Sequence, residues 1–345
     1  MDQVDVIVIG SGLNAFAIVQ EAYRKGYQVS LVRPTQETLM TYPTPPCLIS
    51  SISNSTQQSL AERYRYLNAI NALTLHTPEC IHWLKLLKED KHDKITTSLI
   101  EKLTAYWFEK KLNKIYLKNH LQQNDFQLGC VIDTQYLIKL QRQYIQQQSI
   151  SLYDADIENI TRNEQAYQVK LFNHKLIATK AIINATSSQV IKNASAWFHL
   201  PSRCNVQTHW LHQIQLPSTK NNVMFNHHAA QWTFYADSQH KGYLFYYSAD
   251  YEPNIDIEQF ALTLLQKNRL IESESHQFLD RKQTPFIAKQ SFVSRNDRSY
   301  LIDCITDRNQ PPIFNLISND SLSYQTIAKK CIYNLKQSIS PSNPI

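Results

Sequence analysis

Residues 4–9 carry apolar, mostly β-branched side chains with almost no alternation, the pattern of a strand buried on both faces of a parallel sheet. Across residues 14–25 the apolar positions Ala15, Ile18, Val19, Ala22 and Tyr23 recur at helical spacing, which gives a helix one apolar face. Gly26 stands where a C′ glycine ends such a helix. Residues 28–32 then read as a second strand, stopped before Pro34. Strand, glycine turn, helix, glycine stop and strand is the order of a βαβ unit.

Further along, the Pro, Ser, Thr and Asn content of residues 43–56 predicts a loop without regular structure. Helices are expected at 58–75, 78–88 and 98–108, the last with Leu99, Leu103 and Trp107 on one stripe. Another follows at 134–148, with Tyr136, Leu137, Leu140 and Tyr144 inward and Asp133 as N-cap. Residues 151–160 and 168–171 read as strands separated by a turn around Arg162 and Asn163, and 180–185 as a further short strand. Between 209 and 247, aromatics in period-two stretches (Trp232, Phe234, Tyr243, Phe245, Tyr247) predict an antiparallel sheet. A helix at 256–268, a strand at 313–317 and a closing helix at 326–335 complete the pattern. The fold class expected is α/β: a Rossmann-like parallel sheet at the amino terminus plus an antiparallel domain.

Length changes this picture by asking for two domains, since 345 residues exceed a usual single core. With 43% of residues apolar and 19% charged, the chain is globular rather than disordered. A net charge of +6 suits anionic ligands or peripheral contact with a membrane surface. The basic cluster Lys110, Lys111, Lys114 and Lys118 sits at helical spacing behind Glu109, which is a solvated helix face, so nucleic-acid binding is not expected. The six cysteines include no CxxC pair, against zinc knuckles or a disulfide scaffold. No stretch reaches the ~20 apolar residues of a membrane span, and residues 4–9 are too short for a signal segment. A cytoplasmic setting is the expectation, with room for attachment at the inner face of a membrane.

Glycine is the rarest of the common residues here, with five in the chain against roughly five times that number at ordinary usage. Two of the five fall in Gly10-Ser11-Gly12-Leu13-Asn14-Ala15, a GxGxxA sequence between the first strand and helix. In a dinucleotide site Gly10 would permit the tight turn, Gly12 would let backbone approach the pyrophosphate, and Ala15 would let helix and strand pack closely. The phosphates then face N–H groups at the positive helix end. The other reading is a strand-turn-helix of structural glycines. At the end of the second strand, where Asp or Glu would accept from the ribose hydroxyls, stands Arg33. Arginine has no acceptor; it could meet a 2′-phosphate, as in NADP, stack on adenine, or mark an eroded adenosine site.

The chain resembles the FAD-dependent glycerol-3-phosphate dehydrogenases within the amino-acid-oxidase-like flavoproteins. Residues 5–15 resemble that family's opening strand and turn, and Ile182-Ile183-Asn184-Ala185-Thr186 is similar to its "VNAxG" strand beneath the flavin. Residues 208–216, with His212, look like its "KGxH" strand, and 250–269 like the following segment and helix. Ser294-Arg295-Asn296-Asp297 resembles its "SR" step, and residues 319–328 fall where it has a "GGKLTTYR" turn. The departures are specific: Ser187, Asn319 and Asp320 stand where the family has glycine, and no "HGG" segment lies between Ser50 and Tyr66. Asn and Asp are the replacements that best tolerate the left-handed region.

The resemblance implies a discontinuous FAD-binding domain over 1–75, 130–200 and 290–340, and a substrate domain over 76–129 and 201–289. It implies FAD held by Gly10, Ser11, Gly12, Asn14, Ala15, Arg33, Ala185, Thr186, Asn319 and Asp320. The reaction implied is hydride transfer to flavin from a small polar hydroxy or amino substrate, followed by reoxidation by an electron acceptor of unspecified kind. Arg295 is the candidate anion anchor, with Arg298 the alternative, and His212 the candidate base. Each also has a plain reading, a surface arginine or a satisfied sheet histidine. His209, His227 and His228 lack an acidic partner at ligand spacing, so no metal is expected, and no nucleophile elbow supports a Ser-His-Asp site. The alternatives carried forward are an amine or amino-acid oxidase and an inactive homologue serving as a binding subunit.

Overall fold

The computed structural model describes residues 2–34, 47–50, 60–87, 99–119, 128–163, 165–186, 193, 204–227, 232–272, 280–292, 300–305, 311–318 and 324–339. In chain order these form β1 (Asp2–Ile9), α1 (Leu13–Arg24), β2 (Val29–Arg33), β3 (Cys47–Ser50), α2 (Leu60–His76), a 3₁₀ turn (Pro78–Cys80), β4 (Ile81–Leu87) and α3 (Leu99–Asn119). There follow β5 (Leu128–Ile132), α4 (Thr134–Gln147), β6 (Ser151–Asp154), β7 (Ile157–Arg162), β8 (Tyr167–Leu171) and β9 (Leu176–Asn184). The remainder is β10 (Cys204–Pro217), β11 (Val223–His227), β12 (Trp232–Ala236), β13 (Lys241–Ser248), α5 (Ile255–Lys267), β14 (Asp280–Phe292), β15 (Tyr300–Ile305), β16 (Ile313–Ser318) and α6 (Tyr324–Lys336).

These elements divide into two compact units, the first comprising Met1–Thr44, Thr134–Thr208 and Phe286–Ile345, the second Pro45–Asp133 and His209–Pro285. The first unit holds a sheet in the order β15-β16-β9-β1-β2-β6. β1 runs parallel to both β2 and β9, and β2 parallel to β6. Ile7 and Ile9 pack under the β7–β8 hairpin with Val169 and Leu171, while Val6 and Val8 are equally closed off from solvent. Burial on both faces is why the first strand shows no polar alternation.

Register is fixed at the lower end of this sheet by Asp5. Its buried carboxylate takes a 2.8 Å bond from the Lys180 ammonium and a 3.0 Å bond from the Gln28 amide. α1 packs against α4 and α6. It ends as expected at Gly26 (φ +83°), where the Gly26 and Tyr27 amides donate to Tyr23 and Ala22, a Schellman stop.

The second unit holds a sheet in the order β14-β10-β13-β12-β11-β4-β5-β3. β10–β13, β13–β12 and β12–β11 are antiparallel, as the aromatic alternation predicts, and one parallel pairing joins β11 to β4. One face, with Ile214, Leu216, Trp232, Phe234, Leu244 and Tyr246, packs on Ala261 and Leu265 of α5. Each of these large side chains contributes about 2–3 kcal/mol by leaving water. α5 starts where Asn254 caps it, its side chain accepting from the Ile257 amide.

Three expectations are corrected here. Residues 81–87, read as part of a helix, are a strand with β5 on one side and β11 on the other. Ile81, Leu84 and Leu86 are buried while His82 and Lys85 are exposed, and the i, i+3 step from 81 to 84 imitates a helical stripe; the tertiary ladder decides. Within the expected loop at 43–56, the short apolar run Cys47–Ser50 pairs with β5. The third helix runs on to Asn119 instead of ending at 108, since 99–119 contains neither Gly nor Pro. The lysines at 110, 111 and 114 do lie exposed along it.

Candidate functional site

Three strands converge at the carboxyl end of β1. The Gly10 amide donates to Val32 of β2 at 2.9 Å, and the Ala185 amide donates to Ile9 at 2.8 Å. Gly10 adopts φ +148°, and a Cβ added there would lie 2.5 Å from the Ala185 carbonyl oxygen. Only glycine fits that crossing. Ala15, fully buried, closes the gap between α1 and the turn.

Gly12 differs in kind from Gly10. It caps α1 with ordinary extended angles, φ −84° and ψ 170°, and a Cβ built on it meets nothing within 4 Å. The first amide the helix satisfies is that of Ala15, which donates to the Gly12 carbonyl at 3.0 Å. Among the described residues the Gly12, Leu13 and Asn14 amides find no acceptor, no side chain caps the helix, and its first turn has no acidic residue. The positive end of α1 is thus uncompensated over open space. The side-chain carbonyl oxygen of Asn14, in the first turn of α1, is buried and has no donor among the described residues. Ser11 is half-buried within the same turn. An anion in contact with backbone at Gly12 would meet these unused donors.

The floor of the site is a polar network. Asn184, at the end of β9, donates from Nδ2 to Asn315 Oδ1 of β16 at 2.9 Å and accepts from the Thr186 hydroxyl at 2.8 Å. Asn193 in turn donates to that hydroxyl at 2.9 Å. Asn184, Ala185 and Thr186 are all buried, so their backbone at the sheet's carboxyl edge is held from two sides.

At the end of β2, Arg33 is already engaged. Its Nε and Nη2 both contact Asp154 Oδ1 at 2.5 Å, and Arg142 of α4 approaches Asp154 Oδ2 at 3.6 Å. Asp154 belongs to β6, which the sequence reading did not connect with Arg33. Arg295, Ser187, Asn319 and Asp320 lie outside the described residues.

His212 lies in the second unit. It is fully buried on the α5 side of the sheet, with its ring stacked on Tyr246 at 4.7 Å. Tyr246 donates to Glu258, which Arg281 also binds at 2.8 Å. Neither ring nitrogen of His212 has a hydrogen-bond partner of good geometry among the described residues. A base has to reach its substrate, and the burial of this ring favours its assignment as a core histidine of the sheet over that of a base. Burial pushes its pKa below the ordinary histidine value, against the opposing pull of the Asp250 backbone and the Glu258 carboxylate, while Arg281 adds to the lowering.

Such a histidine takes up a proton on unfolding between its lowered pKa and about 6.5, so stability falls as pH drops through that window. The melting temperature should therefore fall on mild acidification, and His212→Phe should lessen the slope; an unaltered slope would refute the assignment.

Among the described residues no three His, Cys, Asp or Glu side chains are grouped to hold a metal ion, and no helix is long and apolar enough to cross a membrane.

No family model matches this sequence, and no curated protein does. Solved structures match over nearly the whole chain. The FAD-bound L-α-glycerophosphate oxidase of Mycoplasma pneumoniae is 15% identical with a TM-score of 0.63, over 97% of this chain and 95% of that one. The FAD complex of glycerol-3-phosphate dehydrogenase from Bacillus halodurans is 12% identical with a TM-score of 0.62, over 99% of this chain and 66% of that one. L-amino acid deaminase from Proteus vulgaris is 10% identical with a TM-score of 0.65, over 99% and 91%. The likeness establishes the fold alone: a parallel-rich sheet domain and a mostly antiparallel sheet domain, as these solved structures have.

Proposed function

We propose that this chain is an FAD-dependent oxidoreductase acting on a small polar hydroxy or amino compound. The observation that carries the proposal is the open cradle at Gly12. A chain sparing of glycine keeps one where its Cβ would touch nothing within 4 Å among the described residues and where no backbone angle requires it. The Gly12, Leu13 and Asn14 amides at that helix end have no acceptor among the described residues. The residues present therefore fit a bound diphosphate.

Gly12, Leu13 and Asn14 would hold the diphosphate through backbone amides. Ala185 and Thr186 would form the backbone surface on the neighbouring strand, fixed by Asn184 and Asn315. Bound FAD would supply a two-electron acceptor, so that a CH–OH or CH–NH group becomes a carbonyl or imine as its hydride passes to the flavin and its proton to solvent. Arg295 is the proposed anchor for a substrate anion, a planar fork suited to phosphate or carboxylate.

The visible spectrum of the desalted protein, before and after reconstitution with FAD, tests this reading. Flavin absorption that survives desalting is the expected result, and a colourless protein that takes up no FAD would overturn it. Anaerobic bleaching by glycerol 3-phosphate or by amino acids then chooses between the two substrate classes. A yellow protein bleached by none of them would favour a binding subunit.

A further inference from the structure

We infer that the carboxylate which accepts the adenosine ribose hydroxyls in this chain has moved from the end of the second strand to the end of its neighbour, and is Asp154. This rests on the dinucleotide reading above and adds a specific residue to it. A dinucleotide lying over the first turn puts its ribose at the carboxyl end of β2, where an acceptor is required. Arg33 stands there, and a guanidinium only donates.

β6 runs parallel to β2 in the register Arg33 to Asp154. A carboxylate thus sits at the same level of the sheet, one strand spacing of about 4.8 Å to the side. Arg33 grips only Oδ1, through Nε and Nη2, and Oδ2 has Arg142 at 3.6 Å. A carboxylate offers about four acceptor sites, so Oδ2 keeps capacity for a vicinal diol. The Asp154 side chain is 44% exposed, whereas that of Arg33 is 12% exposed. The carboxylate is the accessible partner and the guanidinium the enclosed one.

Arg33 is accordingly a positioning residue. Its charge is taken up by Asp154, so it is not a free receptor for a 2′-phosphate, and the site selects an unphosphorylated ribose.

The test is calorimetric titration of the full chain, freed of any co-purified flavin, with ADP, 2′-deoxy-ADP and 3′-deoxy-ADP. The unaltered protein should prefer ADP to at least one deoxy analogue by about 10- to 100-fold, the range for hydrogen bonds to a charged group. In Asp154→Ala that preference should collapse to near unity while the protein still melts cooperatively. Arg33→Leu should shrink it too, a readout that a purely structural arginine would leave alone. Should Asp154→Ala fold poorly, Asp154→Asn, which keeps shape and one acceptor oxygen, should show an intermediate preference. ADP bound with no discrimination against either deoxy form would overturn the role of Asp154 and leave the dinucleotide reading standing. Failure of the unaltered chain to bind ADP at all would overturn both.

Discussion

Gly12→Val is expected to lower the affinity for FAD or ADP by 100-fold or more while the chain stays folded. The backbone at Gly12 has angles open to any residue, and its Cβ position is empty, so valine enters without strain. Valine is a poorer N-cap than glycine, a loss of about 1 kcal/mol. The branched side chain, however, fills the space through which a diphosphate must reach the Gly12, Leu13 and Asn14 amides. Binding and stability therefore separate at this position. Titration of FAD beside a thermal melt reads both, and a variant that keeps full affinity would show that the turn does not receive the diphosphate.

Two residues earlier the outcome should invert. Gly10→Ala places a Cβ 2.5 Å from the Ala185 carbonyl oxygen in a backbone conformation with φ +148°. Both the angle and the overlap oppose it, and together they should cost about 3 kcal/mol or more. The β1–β9 junction carries the sheet, so the expected signs are a large drop in melting temperature and poor soluble yield. A Gly10→Ala protein with an unchanged melt would mean that this crossing is looser than described. The two glycines of one motif thus have separate duties, one to let strands cross and one to leave room for a ligand.

The opening βαβ unit could be read from residues because everything that defines it is local. Strand composition, the helical spacing of Ala15, Ile18, Val19 and Ala22, and the Gly26 stop all lie within 33 residues of the amino terminus. The aromatic alternation of β12 and β13 was legible for the same reason. β4 was not, because a strand paired on both sides shows burial that depends on its partners β5 and β11, distant in sequence. Asp154 was hidden by distance as well: it meets Arg33 across 121 residues, and only the parallel register of β2 and β6 brings them level. A strand ending in Asp after the second helix of a Rossmann-like unit was the available signal. The closed position of His212 depends on which face of the second sheet α5 covers, and alternation alone gives two faces without naming the covered one.

The most direct test is a crystal structure of the protein grown with FAD. The diphosphate should rest against the amides of Gly12, Leu13 and Asn14, with the adenosine directed toward Arg33 and Asp154. Flavin found elsewhere on the chain, or a first turn closed by its own side chains with no diphosphate against it, would contradict this.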